Sequence, residues 1–307
     1  MGEQMMLKVI IAVIVIMALT VISVWNYRRF MPKPKSCTDK TYKVKVVEKS
    51  IDADGRHIYG ELLIPEGVTG KLPTVIISHG YGSSYKLSKN AIGKFLVMSG
   101  YAAYVFDFCG GSKKSKSSGS WMDMTILKEK EDLLTVIDYV KTLEVVNPER
   151  LYLLGESQGG MVSAITAVER QDDIKAMVLY YPAFCIQEDA HRKYESKEEL
   201  PETVEAFQQK IGRSYYADVW DFDVFSYMPA FEKPVLIMHG DKDTMVPHSY
   251  GERGAKAYKN AEIITFPGEI HGFYGKGKVK AIKTGSAKIT VKSGAKVMKI
   301  KVTVKKK

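Results

Sequence analysis

Gly155-Glu156-Ser157-Gln158-Gly159 places a serine between two glycines, directly after the apolar run Leu151-Tyr152-Leu153-Leu154. A G-x-S-x-G pattern at the end of a buried strand turns the chain sharply into a helix and holds the serine Oγ above the sheet edge. Ser157 is therefore the candidate nucleophile. A serine hydroxyl is weak at neutral pH, so it needs a base to take its proton, an acid to orient that base, and donors for the oxyanion. Two later strand ends offer the first two. Val235-Leu236-Ile237-Met238 runs into His239-Gly240-Asp241-Lys242-Asp243-Thr244-Met245-Val246-Pro247, a loop with two aspartates. Ile264-Thr265-Phe266 runs into Pro267-Gly268-Glu269-Ile270-His271-Gly272-Phe273, a loop with a histidine. His79 and His239 each precede a glycine at a strand end and read as braces for their loops. His57, His191 and His248 have no supporting context.

These loops need a frame. After a strand pair at Lys43 to Glu48 and His57 to Ile64, short apolar runs at Thr74 to Ser78, Ala102 to Phe106, Leu151 to Leu154, Ala176 to Tyr180, Val235 to Met238 and Glu262 to Phe266 read as buried strands. Between them, helical periodicity marks Lys86 to Met98, Ile126 to Leu143, Gln158 to Glu169 and Tyr250 to Tyr258. Such alternation predicts an α/β fold, a mostly parallel sheet with helices on both faces. Residues 184–233 break the rhythm with a long insertion rich in charge and aromatics. Next to a nucleophile at the strand ends, it is placed either to cap a substrate pocket or simply to pack onto the body.

The chain order Ser157, Asp243, His271 is the order of α/β-hydrolases. Residues 42–274 resemble that superfamily, and within it the cinnamoyl (feruloyl) esterase-like and serine-aminopeptidase-like group. The resemblance is carried by His79-Gly80-Tyr81-Gly82, Phe106-Asp107-Phe108-Cys109-Gly110, the serine motif, Gly240-Asp241-Lys242-Asp243-Thr244-Met245-Val246-Pro247 and His271-Gly272-Phe273. It implies Ser157 as nucleophile, His271 as general base and then acid, and Asp243 as the orienting carboxylate. Asp241 is the rival acid; at the strand end it is better placed to tie down the loop backbone. The oxyanion hole would be the backbone N–H groups of Tyr81 and Gln158. The implied activity is cleavage of small-molecule carboxylic esters, short acyl or hydroxycinnamoyl, through an acyl-enzyme without a cofactor. A serine aminopeptidase or oligopeptidase on the same triad, or a surface-anchored binding protein with an impaired triad, are the alternatives. The chain departs from the group after Asp107, where Cys109-Gly110-Gly111-Ser112-Lys113-Lys114 replaces a Gly-His-Gly run. It departs again after His271, where Gly275-Lys276-Gly277 leads towards a β pattern rather than a final helix.

A formal charge of +10 suggests a polyanion partner until it is located. Residues 275–307 hold 12 lysines and no acid, leaving the rest with 33 basic against 35 acidic residues. A near-neutral body excludes nucleic acid as the expected partner. Cys37, Cys109 and Cys185 match no metal spacing and no disulfide framework.

Leu7 to Trp25 is almost continuously apolar and long enough to cross a bilayer, so residues 1–27 read as a membrane anchor and 28–41 as a linker. In the tail, 275–307, Ala287 to Lys292 and Lys296 to Val304 alternate about Ser293-Gly294 and predict a β-hairpin. Val279 to Val291 resembles the closing half of a group 2 bacterial immunoglobulin-like domain, a module found mainly on cell surfaces. That resemblance, set against the positive charges following the anchor, gives an extracytoplasmic catalytic domain as the expectation.

Overall fold

The structure, a computed structural model, describes residues 42–273 and the backbone of residues 285–293 and 296–304. The strands are β1 (Val44–Glu48), β2 (Ile51–Ala53), β3 (Arg56–Ile58), β4 (Gly60–Pro65), β5 (Leu72–Ser78), β6 (Ala102–Phe106), β7 (Val146–Glu156), β8 (Ile174–Tyr180), β9 (Thr203–Ala206), β10 (Gln209–Gly212), β11 (Val235–Gly240) and β12 (Ala261–Phe266). Eight of them form one sheet in the order β1-β4-β6-β5-β7-β8-β11-β12. The first two pairings are antiparallel, and every pairing from β6 to β12 is parallel.

Side chains alternate between the two faces of this sheet, as a period of two requires. Leu62, Ile76, Tyr104, Phe106, Leu153, Met177 and Leu179 join the core on one face, while Leu63, Val75, Ile77, Ala103, Val105 and Tyr180 join that on the other. The helices are α1 (Tyr85–Ser88), α2 (Lys94–Met98), α3 (Ile126–Thr142), α4 (Gln158–Glu169), α5 (Ile186–Lys193), α6 (Ser214–Ala217), α7 (Val224–Tyr227) and α8 (His248–Ala257). Leu96 and Val97 of α2 belong to the second core. Helices α3, α4 and α8 supply residues to the first. Thr125 caps α3 by accepting from the Lys128 N–H at 3.1 Å. The buried face of α3 carries Leu133, Val136, Ile137 and Val140, but also Glu129 and Asp132. Buried acids on an otherwise apolar stripe call for polar partners.

Sequence periodicity places a single strand at His57 to Ile64, whereas the chain divides it at Tyr59. Strand β3 pairs back on β2, and β4 enters the main sheet. Gly60 lies at the division: a Cβ there would sit 2.1 Å from the Tyr104 hydroxyl, which donates to the Lys49 carbonyl at 2.6 Å. Strand β7 extends well before Leu151. Its register with β5 shifts between Leu72↔Val146 and Thr74↔Leu151, taking up Pro148, which has no N–H for the ladder.

The 184–233 insertion contains α5, a hairpin of β9 and β10, α6 and α7. In the tail, β13 (Gly285–Ser293) and β14 (Lys296–Val304) pair antiparallel, as the alternation there predicts. The anchor reading of residues 1–27, the linker and the stretch 274–284 lie outside the described residues. Among the described residues, no helix is long and apolar enough to cross a membrane.

Candidate active site

Ser157 sits between the end of β7 and the start of α4 with φ 53 and ψ −116, a conformation an L-residue adopts only under constraint. Its N–H donates to the Tyr180 carbonyl at 2.9 Å and its own carbonyl accepts from Ala183 at 2.9 Å, which pins the strained turn from the β8 side. The flanking glycines are needed for close approach rather than for their own torsions. A Cβ on Gly155 would lie 2.4 Å from the Gly159 carbonyl oxygen, and one on Gly159 would lie 2.3 Å from that of Ser78. The turn therefore packs directly on the end of β5.

His271 and Asp243 reach Ser157 from the other two loops. His271 Nε2 lies 3.0 Å from Ser157 Oγ, and His271 Nδ1 lies 2.7 Å from Asp243 Oδ2. The two loops are stitched together: Lys242 N–H donates to the Glu269 carbonyl at 2.9 Å and Asp241 N–H to the Phe266 carbonyl at 3.2 Å. Gly240 permits this, since a Cβ there would lie 2.2 Å from the Glu269 oxygen. Asp241 accepts instead from the Gly268 N–H at 2.6 Å, bracing the loop that carries His271.

The Asp243 side chain is fully buried. Burial alone would raise its carboxyl, but hydrogen bonds from His239, His271 and the Val246 N–H outweigh it and hold the carboxyl well below the usual range. Oδ1 accepts from the backbone of Met245 and Val246 at 3.0 and 2.9 Å. His239 Nε2 faces two oxygens, the Val246 carbonyl at 2.9 Å and Asp243 Oδ2 at 3.2 Å, so it carries the proton. His239 thus braces the acid loop. His79 does the same for its own loop: Nδ1 meets the Gly80 carbonyl at 2.8 Å and Nε2 accepts from the Phe108 N–H at 3.3 Å. Burial lowers its pKa, as suits a neutral brace.

Tyr81 and Gln158 flank Ser157. Gly80 is so close to the serine turn that a Cβ on it would lie 3.1 Å from Ser157 Cβ. Gln158 opens α4, where the helix dipole and the free N–H groups of the first turn favour negative charge. Its buried side chain is fixed at both ends. Nε2 donates to Glu129 Oε2 at 2.8 Å, and Oε1 accepts from the Tyr215 hydroxyl at 2.7 Å. The Tyr81 ring packs against Trp121, Phe207 and Tyr215. Tyr215 and Phe207 both come from the insertion, so it packs onto the body and reaches the site as well.

Other residues also shape the site, and those of the β9–β10 turn carry no sequence signal. Phe207 and Gln208 turn the β9–β10 hairpin with φ 46 and 63, values that hairpin turns usually assign to glycine or asparagine. That turn puts Phe207 and Gln209 into the wall of a cavity of about 210 Å³ that opens on Ser157 and His271 and is also lined by Tyr81, Leu87, Glu156, Tyr181 and Met245. His271 is buttressed by rings: Tyr181 meets it edge-on at 4.6 Å, and Phe273 packs on Tyr180, Tyr181 and Phe266 at 5.9, 5.0 and 4.9 Å. Asp107, behind the site, gathers the loop that lacks the Gly-His-Gly run, accepting from the Tyr85 and Lys116 N–H groups at 2.8 and 2.9 Å. Among the described residues no group of side chains could hold a metal ion.

The model of the prolyl oligopeptidase family matches residues 88–286. Among solved structures, Est1E from Butyrivibrio proteoclasticus with ferulic acid bound is 32% identical, with 74% of this chain and 92% of that chain covered at a TM-score of 0.67. Among curated proteins, the acylamino-acid-releasing enzyme 1 of Oryza sativa subsp. japonica is 24% identical over 221 residues, 65% of this chain and 27% of that protein. A bifunctional esterase/perhydrolase of Acinetobacter calcoaceticus is 34% identical over 64 residues, 20% of this chain and 23% of that protein. The chain spans about a quarter of the length of these curated relatives.

Proposed function

From the premise that this chain belongs to the prolyl oligopeptidase family, within the α/β-hydrolase superfamily, we propose that it cleaves carboxylic esters through an acyl-enzyme on Ser157. The observation that carries this reading is the unbroken hydrogen-bonded line from Ser157 Oγ through His271 to the buried Asp243. His271 Nε2 takes the Ser157 proton as Oγ attacks the ester carbonyl. Asp243 holds Nδ1–H and stabilises the imidazolium that results. The backbone N–H groups of Tyr81 and Gln158 receive the developing oxyanion, with α4 behind the latter; one such donor contributes about 3 kcal/mol to transition-state stabilisation. His271 then protonates the departing alcohol, and a water activated by the same nitrogen hydrolyses the acyl-enzyme.

A small acyl or hydroxycinnamoyl ester suits a cavity walled by Tyr81, Phe207 and Tyr181, and a ferulate-bound relative supports the same class. The test is hydrolysis of p-nitrophenyl butyrate and methyl ferulate by wild type and Ser157→Ala, with labelling by a fluorophosphonate probe. Wild type turns over esters and is labelled, and the variant does neither; equal rates for the two proteins refute the reading. The family's name and the acylamino-acid-releasing relative favour a second reading, peptide-bond cleavage by the same triad. Aminoacyl and acylaminoacyl p-nitroanilides distinguish it. An extracytoplasmic domain held by Leu7 to Trp25 rests on the sequence alone. Protease treatment of intact cells tests it, and a fully protected domain refutes it.

A further inference from the structure

Glu156 lines the cavity beside the nucleophile and is 9% exposed. Its carboxyl accepts from the hydroxyls of Ser88 and Tyr181, at 2.5 Å to Oε2 and 3.4 Å to Oε1. Hydroxyls spread a negative charge without cancelling it, and among the described residues no lysine, arginine or histidine forms an ion pair with this one. Burial pushes the carboxyl above its usual range, against those two hydrogen bonds. Close by, the Tyr180 hydroxyl is buried with no hydrogen-bond partner, and the Glu156 charge is one of the causes that raise it. A carboxyl without a counter-ion in the cavity wall, with an orphaned hydroxyl beside it on the neighbouring strand, is costly for a fold to maintain. Among the described residues, Glu156 is the only carboxylate lining the cavity, and no lysine or arginine lines it.

The geometry points to a cation subsite: Glu156, with the neighbouring Tyr181 hydroxyl, receives a primary ammonium carried by the ester substrate a few bonds from its carbonyl. An ammonium brings the missing positive charge and three N–H donors, enough for the carboxylate and a hydroxyl together. A neutral hydroxyl would supply a donor but leave the charge unmatched, and a substrate carboxylate would meet like charge at short range. Since residue 156 adjoins the nucleophile, the ammonium sits in the acyl group or in the alcohol, near the scissile bond in either case.

This inference rests on the esterase reading above, and the test separates the two. The acyl arm compares kcat/KM for p-nitrophenyl 3-aminopropanoate and p-nitrophenyl butanoate, which differ by an ammonium in place of a methyl. The alcohol arm compares 4-(aminomethyl)phenyl acetate with 4-ethylphenyl acetate. Glu156→Gln is expected to lower the cationic-to-neutral ratio by about tenfold or more in one arm, and that arm identifies where the ammonium sits. A ratio unchanged in both arms overturns the subsite. Calorimetry on Ser157→Ala, which keeps the cavity, gives a readout free of turnover: butylammonium binds, butanol binds more weakly, and the difference disappears on adding Glu156→Gln. Equal binding of the two probes to Ser157→Ala overturns the proposal whether or not any ester is cleaved. Conversely, ammonium binding by a protein that neither cleaves esters nor takes the fluorophosphonate retains the subsite and rejects the esterase reading.

Discussion

Asp243→Asn is the most discriminating single change, because the structure dictates which way the new amide must face. Oδ1 accepts two backbone N–H groups, from Met245 and Val246. An asparagine keeps those bonds only by leaving its carbonyl oxygen at the Oδ1 position, which sends the NH2 towards His271. The NH2 then donates to His271 Nδ1, where Asp243 Oδ2 accepted at 2.7 Å. That fixes the imidazole proton on Nε2, facing Ser157 Oγ, so the ring can no longer accept the serine proton. The flipped amide is no better, since its NH2 would face two backbone donors and leave them buried without an acceptor. A comparable exchange elsewhere lowers kcat by about ten-thousand-fold, or about 5 kcal/mol in activation free energy. Steady-state hydrolysis of p-nitrophenyl butyrate reads the effect, with Asp241→Asn as the reference. Asp241 braces Gly268 and does not touch the imidazole, so its exchange is expected to lower kcat by no more than about tenfold. Equal losses in the two variants, or an Asp243→Asn enzyme within about tenfold of wild type, would refute the reasoning.

Gly159→Ala forces a Cβ to within 2.3 and 2.4 Å of the Ser78 and His79 carbonyl oxygens, both backbone atoms. Urea unfolding is expected to show a loss of about 1–3 kcal/mol, and a change within about 0.5 kcal/mol would contradict the packing described. Phe273→Ala removes the ring that packs on Tyr180, Tyr181 and Phe266 behind His271. Its kcat should fall more than its KM rises, and an unaltered kcat would show that the base is held by something else. Glu129 has its carboxyl raised by burial, against the pull of Gln158, so the folded state binds its proton more tightly than the unfolded chain. Its contribution is therefore greatest below the unfolded value of about 4.3 and is lost as pH rises towards the folded value. Glu129→Gln abolishes that loss, so unfolding free energies at pH 5 and pH 8 should show the variant gaining on wild type as pH rises; a pH-independent difference would refute it. Asp243 has the opposite sign: with its folded pKa depressed, its stabilisation is present above about pH 4 and lost as pH falls. The acid limb of the stability curve should accordingly flatten in Asp243→Asn.

What could be read without the fold is what local chain chemistry encodes. Buried strands announce themselves as short apolar runs, so β6 and α4 fall at the expected residues, β5, β8, β11, β12 and α8 differ by a few positions, and the helix expected over Lys86 to Met98 is divided into α1 and α2 by a π turn at Lys89–Gly93. Ser157, Asp243 and His271 each follow such a run, and parallel strands deliver their ends to one edge of the sheet whatever the intervening sequence. Strand β7 and the split at Tyr59 were not legible, because a bulge at Pro148 and the approach of Tyr104 to Gly60 depend on which strand lies alongside.

The chain alone therefore determines the α/β alternation, the serine turn, the order Ser157, Asp243, His271 and the lysine-rich hairpin of the tail. Only the tertiary structure decides which aspartate meets the imidazole. Asp241 and Asp243 are two residues apart on one loop, and stitching to Glu269 and Phe266 turns one towards His271 and the other towards Gly268. It also joins Glu129 and Tyr215 to Gln158 across 29 and 57 residues of sequence, and sets Glu156 in the cavity wall without a counter-ion. Neither pairing leaves a periodicity or spacing in the sequence, since burial and electrostatics act between residues that only folding brings together.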